Sequence, residues 1–148
     1  MNHYDLNETW TQKIDQRERD RMIIASGMIP NDCESLLDLG SGDGEFLYEL
    51  EKQQKNPLIC KGYERSDAAI NNKRCKAEIA QRNDFKHIKG EPIFDCVTTM
   101  AVLEHLTNKE IEDKVKLINK IAKKYLLVSV PYKEKRVNIK CNYCNCRF

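Results

Sequence analysis

No apolar run in this 148-residue chain approaches the roughly 20 residues that a bilayer-spanning helix needs, so a membrane protein is not expected. The N-terminus, Met1-Asn2-His3-Tyr4-Asp5, lacks the positive region followed by an apolar stretch that marks a signal peptide. An excess of one charge is missing too. Lys and Arg total 25 against 23 Asp and Glu, a formal +2, which argues against a nucleic-acid binder with its clustered basic surplus. Repeats and low-complexity segments are absent, and the length suits one domain with a single sizeable core. Glycine is scarce, at six residues, and that scarcity makes its distribution informative. Cysteine is not scarce: there are seven, an odd number. Four of them, Cys33, Cys60, Cys75 and Cys96, are scattered through apparent core elements and read as reduced, small apolar residues of a cytoplasmic protein.

The order of elements follows from periodicity and punctuation. Residues 8–27 carry Trp10, Ile14, Met22, Ile23 and Ala25 among charges, which predicts one amphipathic helix ending near Gly27 and Pro30. Ser35-Leu36-Leu37-Asp38-Leu39 reads as a buried strand, and Glu45 to Gln54 as a helix with Phe46, Leu47 and Leu50 on one face. A second strand spans 58–63, and Ser66 can cap a helix running to about Ala80. A weak strand near Ile79–Asn83 is followed by a stronger, β-branched one over 94–100. Thr107 or Asn108 can cap a helix over 109–123, with Ile111, Val115, Ile118 and Ile121/Ala122 inward. A strand over 125–130 is stopped by Pro131. Near-continuously apolar strands alternating with helices indicate a parallel sheet covered on both faces. The expected units are an N-terminal helical segment (1–30), an α/β core (31–132) and a cysteine-containing tail (133–148).

Three of the six glycines fall at positions 40, 42 and 44, between the first strand and the first helix of that core. Such a loop lies at the carboxyl edge of the sheet, where open α/β folds bind ligands. The plainer reading is a strand-to-helix turn that happens to be rich in glycine. The spacing G-x-G-x-G is one residue shorter than a dinucleotide fingerprint, and no Gly-Lys-Ser/Thr follows to make a P-loop. Asp38, two residues before Gly40, would repel a pyrophosphate but suits a cationic group. Glu64 ends the second strand, where a carboxylate can accept from ribose hydroxyls. Asn83-Asp84-Phe85, after the third strand, offers a carboxylate for an amine and an aromatic face for a base. A cation, a ribose and an adenine-like ring together describe S-adenosylmethionine.

Leu37-Asp38-Leu39-Gly40-Ser41-Gly42-Asp43-Gly44 resembles the nucleotide-loop motif of class I S-adenosylmethionine-dependent methyltransferases. Phe94-Asp95-Cys96-Val97, followed by Val102-Leu103-Glu104-His105-Leu106, resembles their fourth-strand motif and the segment after it. The resemblance covers about residues 20–132. It implies a three-layer, Rossmann-like, mostly parallel sheet with helices on both faces, and methyl transfer to a small-molecule or glycan-type acceptor. It further implies that Asp38 and the loop residues Gly40, Ser41, Gly42 and Gly44 hold the methionine part. Glu64, with Arg65 beside it, would hold the ribose, while Asp84 and Phe85 would face the adenine. Met100 and Ala101 would line the cofactor near its sulfonium. His105 is the candidate general base, against structural packing or cofactor contact as its alternatives. Methyl transfer from a sulfonium needs mainly alignment and desolvation of the acceptor, so a base is optional. Tyr4 and Trp10 are candidates for a lid over the cofactor, with burial of Trp10 against the sheet as the other reading.

The resemblance also shows what departs from the family. Its members usually add a helix and a β-hairpin after the fifth strand, and only 18 residues follow Val130 here. A truncated chain or a naturally minimal domain is implied, and with it a second reading of function: a cofactor-binding module without catalysis. In the tail, Cys141 and Cys144 have the spacing of half a zinc knuckle, with zinc expected only in a longer chain that supplies further ligands.

Overall fold

The computed structural model describes residues 7–12, 14–53, 58–81 and 93–132. The calls on Asp84, Phe85, Tyr4, Cys141 and Cys144 lie outside them. Helices α1 (Asn7–Thr11) and α2 (Gln16–Gly27) precede β1 (Ser35–Leu39), α3 (Glu45–Gln53) and β2 (Ile59–Glu64). Then come α4 (Asp67–Asn71), β3 (Glu78–Gln81), β4 (Phe94–Met100), a 3₁₀ turn (Leu103–His105), α5 (Asn108–Ile121) and β5 (Ala122–Ser129). The five strands form one parallel sheet in the order β3-β2-β1-β4-β5. The parallel sheet is as expected from the sequence, and its order is doubly wound, reversing between β1 and β4.

Alternate residues of β1 feed two cores. Leu36 points with Phe46, Leu47, Leu50 and Met22 into the layer under α2 and α3. Leu37 and Leu39 point with Val97, Leu117, Ile118 and Ile121 into the layer under α5. Because both faces are covered, four of the five β1 residues and every β4 residue are buried, Asp38 and Thr98 included.

The predicted N-terminal helix over 8–27 is two helices. The carbonyl of Gln12, just past α1, accepts from Arg74 Nη2 at 3.1 Å rather than continuing the helix. The predicted helix from Ser66 to about Ala80 is a single turn. Ser66 does cap it, accepting from Ala69 N at 3.2 Å. Beyond Asn71, however, the backbone N–H groups find side-chain and loop partners: Arg74 N donates to Asp43 O, and Lys76 N and Ala77 N donate to the Glu51 carboxylate. Helix α5 starts as expected, with Thr107 and Glu110 forming a capping box. Its inner face differs. Lys114, Leu117, Ile118 and Ile121 are buried, while Val115 is 46% exposed. The chain enters β5 directly from α5, three residues earlier than predicted.

Candidate functional site

The carboxyl ends of β1, β2 and β4 open into a cavity of about 770 Å³, within the range of small-molecule sites. Asp38 and Glu64 reach it from the ends of β1 and β2, Gly40, Ser41 and Gly42 line one side, and Met100, Ala101 and Val102 another. Trp10, Ile14, Arg21 and Met22 close over it from α1, α2 and the chain between them. Lys114, Asp113 and Glu110 approach from α5, and His105 stands exposed at the rim.

The loop conformation explains the glycines. Gly40, Gly42 and Gly44 all sit at positive φ (81°, 55° and 77°), the left-handed region that side chains disfavour. Each also meets a close neighbour. A Cβ on Gly40 would stand 2.7 Å from a Val102 methyl, and one on Gly42 would stand 2.9 Å from the Trp10 ring. Gly44 is turned away from the cavity, and a Cβ there would lie 2.5 Å from Cys75 Sγ. Its role is therefore to seat α3 against the segment after α4. Gly44→Ala is expected to lower the unfolding free energy by about 2–4 kcal/mol, combining the left-handed penalty with the clash, as read by denaturant unfolding.

Hydrogen bonds tie this loop to β2. Gly40 N and Ser41 N both donate to Tyr63 O, at 2.8 and 3.2 Å. The Glu64 carboxylate accepts from Gly42 N at 2.9 Å, Arg65 N at 2.7 Å and Ser66 N at 2.9 Å. Glu64 thus clamps the glycine loop to the turn after β2. A carboxylate has about four lone-pair sites, so roughly one stays open toward the cavity. Ser41 Oγ is buried and has no hydrogen-bond partner among the described residues. It packs where a Cβ on Gly62 would stand, 2.5 Å away, which gives Gly62 a role that the sequence did not reveal.

Asp38 is 1% exposed and accepts from Thr98 Oγ1 at 2.7 Å, across the β1–β4 register. Burial pushes its carboxyl up to about 7, opposed by the Thr98 bond and by the charge of Lys114, while Glu64 adds to the rise. Lys114 is 3% exposed, and burial pulls its ammonium down to about 8 against the attraction of Asp38 and Glu64. Arg74 joins three parts of the site: its guanidinium pairs with Asp43 of the loop, contacts the Glu45 carboxylate at 3.7 Å and donates to Gln12 O. At the end of β4, Ala101 has φ 53°, an uncommon conformation for alanine of the kind that gathers at binding sites.

Of the residues singled out from the sequence, Asp38, Gly40, Ser41, Gly42, Glu64, Arg65, Met100, Ala101 and His105 all meet at this one cavity. Trp10 is half-buried against Gly42 at its edge, the lid-side position rather than one inside the sheet core. Lys114, Arg74 and Gly62 were missed. For Lys114 a signal existed: 114, 117, 118 and 121 is as good a helical face as 111, 115, 118 and 122, but its charge argued against burial. The contacts of Arg74 and Gly62 depend on tertiary neighbours. Among the described residues, no group of three or more His, Cys, Asp or Glu is arranged to hold a metal ion. No helix among them is long and apolar enough to cross a membrane.

A search of curated proteins found no match. Several solved structures share the fold. One is an S-adenosylmethionine-dependent methyltransferase from Archaeoglobus fulgidus (TM-score 0.69, 22% identity, 89% of this chain and 60% of that one). Another is a sugar N-methyltransferase from Streptoalloteichus (TM-score 0.60, 20% identity, 88% and 54%). A third is an amino pentose methyltransferase from Micromonospora echinaspora, solved with S-adenosylmethionine bound (TM-score 0.61, 17% identity, 93% and 60%). This chain spans 54–60% of the length of these three. The family model of the methyltransferase domain matches residues 5–139, nearly the whole chain. The chain therefore belongs to the methyltransferase-domain family and carries the Rossmann-like fold of S-adenosylmethionine-dependent methyltransferases.

Proposed function

We propose that the chain binds S-adenosylmethionine at the glycine loop and transfers its methyl group to a small-molecule or glycan-type acceptor in the cytoplasm. The observation that carries this reading is the pair of buried carboxylates, Asp38 and Glu64, at the floor of a cavity whose wall is a left-handed glycine loop. They suit an amine and a ribose at the separation of two adjacent strand ends, while the loop offers close backbone approach. When bound, the cofactor supplies an activated methyl carbon on a cationic sulfur. Asp38, with Gly40, Ser41 and Gly42, would hold the amino-acid end, Glu64 and Arg65 the ribose, and Met100 and Ala101 the neighbourhood of the sulfur. Asp84 and Phe85 keep their proposed place beside the adenine. Trp10, Ile14 and Met22 exclude water from above, which favours attack by a neutral acceptor. His105 at the rim would accept a proton from an acceptor that needs one removed.

The acceptor class rests on the sugar N-methyltransferase and the amino pentose methyltransferase that share the fold, and on the near-neutral net charge that disfavours nucleic acid. Titration with S-adenosylhomocysteine should change the emission of Trp10, the single tryptophan, because its ring rests on Gly42. Methyl release with a panel of amino sugars, hydroxylated sugars and small amines tests the reaction itself. Turnover on one class supports transfer. Cofactor binding without turnover on any acceptor would favour a binding module instead. The zinc proposal for Cys141 and Cys144 applies to a longer chain and is read by elemental analysis of that chain.

A further inference from the structure

Lys114 has no place in the cofactor contacts proposed above, yet it is an almost fully buried lysine lining the same cavity. It sits on α5, on the opposite side of the sheet from α3, and among the described residues its charge is felt by Asp38 from β1, Glu64 and Arg65 from the end of β2, and Glu110 from its own helix. Burying a lysine on a helix face that otherwise carries leucine and isoleucine is costly unless it compensates something. The two carboxylates it faces are not equally supported. Among the described residues, Glu64 accepts three backbone N–H bonds, whereas Asp38 accepts the Thr98 hydroxyl alone. A carboxylate with one neutral hydrogen bond in a dry site needs a nearby cation to stay charged. Arg65 is exposed, and screening by water weakens its help.

We propose that Lys114 is a positioning residue that keeps Asp38 in its anionic form, so that the floor offers the cofactor's ammonium a carboxylate instead of a neutral acid. This rests on the cofactor reading of the cavity. The charges are consistent with it: Asp38, Glu64 and Lys114 together leave one net negative charge beneath a ligand that is singly positive overall. The raised Asp38 carboxyl, with Lys114 among the influences holding it down, agrees with that arrangement. The consequence is a selective one. Losing Lys114 should weaken ligands that bring an amine to Asp38 and spare those that do not.

The test pairs S-adenosylhomocysteine, which has the amino-acid end, with 5′-methylthioadenosine, which lacks it. In Lys114→Met, an apolar replacement of similar length, the Asp38 carboxyl should move up from about 7 by roughly tenfold in proton affinity. The Kd for S-adenosylhomocysteine should then rise about threefold near pH 7.5 and nearly tenfold near about pH 6, and the loss should vanish as the pH is raised toward about 9. The Kd for 5′-methylthioadenosine should change by less than about twofold, and Lys114→Arg should restore much of the difference. Equal losses for the two ligands, or a loss that ignores pH, would assign Lys114 a packing role and overturn the proposal. A carboxyl-carbon NMR titration of Asp38 without ligand gives an independent reading. Its midpoint should move upward in Lys114→Met, and an unmoved midpoint overturns the proposal even if wild-type binding stands. A wild-type chain that binds neither nucleoside overturns the cofactor reading, while the NMR midpoint still decides the coupling between Lys114 and Asp38.

Discussion

Glu64→Ala is expected to lose stability and cofactor affinity together. Its carboxylate accepts backbone N–H bonds from Gly42, Arg65 and Ser66, so the substitution leaves three donors to find water in a mostly buried turn. Charge-assisted bonds of this kind contribute about 1.5–3 kcal/mol each when measured singly, but they are not additive, and water can reach part of the opened site. A drop of about 3 kcal/mol in unfolding free energy is expected, together with a roughly hundredfold weaker Kd for S-adenosylhomocysteine. The affinity loss has two sources: the ribose partner and the loop that Glu64 pins. Glu64→Gln separates them. It keeps one acceptor oxygen for Arg65 N and Ser66 N but turns an amide N–H₂ toward Gly42 N, so loop order should fail before overall stability does. Denaturant unfolding and calorimetry on both variants check this. An unchanged unfolding free energy in Glu64→Ala would contradict the clamp.

Asp38→Asn is expected to do the reverse, stabilising the chain while impairing its site. The Asp38 carboxyl is raised to about 7 in the fold, chiefly by burial, from an ordinary value of 3.8. The sign follows from proton binding. Between those two values the folded chain holds a proton that the unfolded chain has released, so wild-type stability falls as pH rises through this window. Below about pH 4 both forms are protonated and no penalty applies. Asn carries no charge to desolvate and can still accept from Thr98. The variant should therefore match wild type near pH 4 and exceed it by roughly 2–4 kcal/mol near pH 8. Its affinity for S-adenosylhomocysteine should fall at least about tenfold near pH 8, because the amine loses its anion. Stability that did not diverge with pH would show that Asp38 is not the strained carboxylate of this floor.

Those two residues were legible in the sequence because their positions follow from elements that announce themselves. Asp38 lies inside Leu37-Asp38-Leu39-Gly40, a strand stopped by glycine, and Glu64 ends the next apolar run. Strand β4 (Phe94–Met100) matched its predicted bounds because seven consecutive buried residues rich in β-branched side chains leave little choice. What failed to show was whatever depended on side chains meeting across the fold. The segment after α4 reads as helix by local pattern, but Glu51 and Asp43 O capture its N–H groups from another helix and another loop. Helix α1 parts from α2 where Arg74, far along the chain, takes the carbonyl of Gln12. On α5 the helical period fits Lys114 and Val115 as inward residues equally well, and it was the charge of Lys114, set against carboxylates that lie far off in sequence, that hid its burial. The glycine triplet shows both sides of this. Its left-handed turn was foreseeable, but the division of labour was not: Gly42 faces Trp10, and Gly44 faces Cys75 in the core.

The most direct test of the central claim, that the glycine-loop cavity is a cofactor site, is calorimetric titration of the chain with S-adenosylhomocysteine near pH 8. One ligand per chain should bind, with saturation below about 1 mM. The heat should be strongly reduced in Asp38→Asn, which folds at least as stably at that pH. Absence of binding to a folded wild-type chain, or binding unchanged by Asp38→Asn, would contradict it.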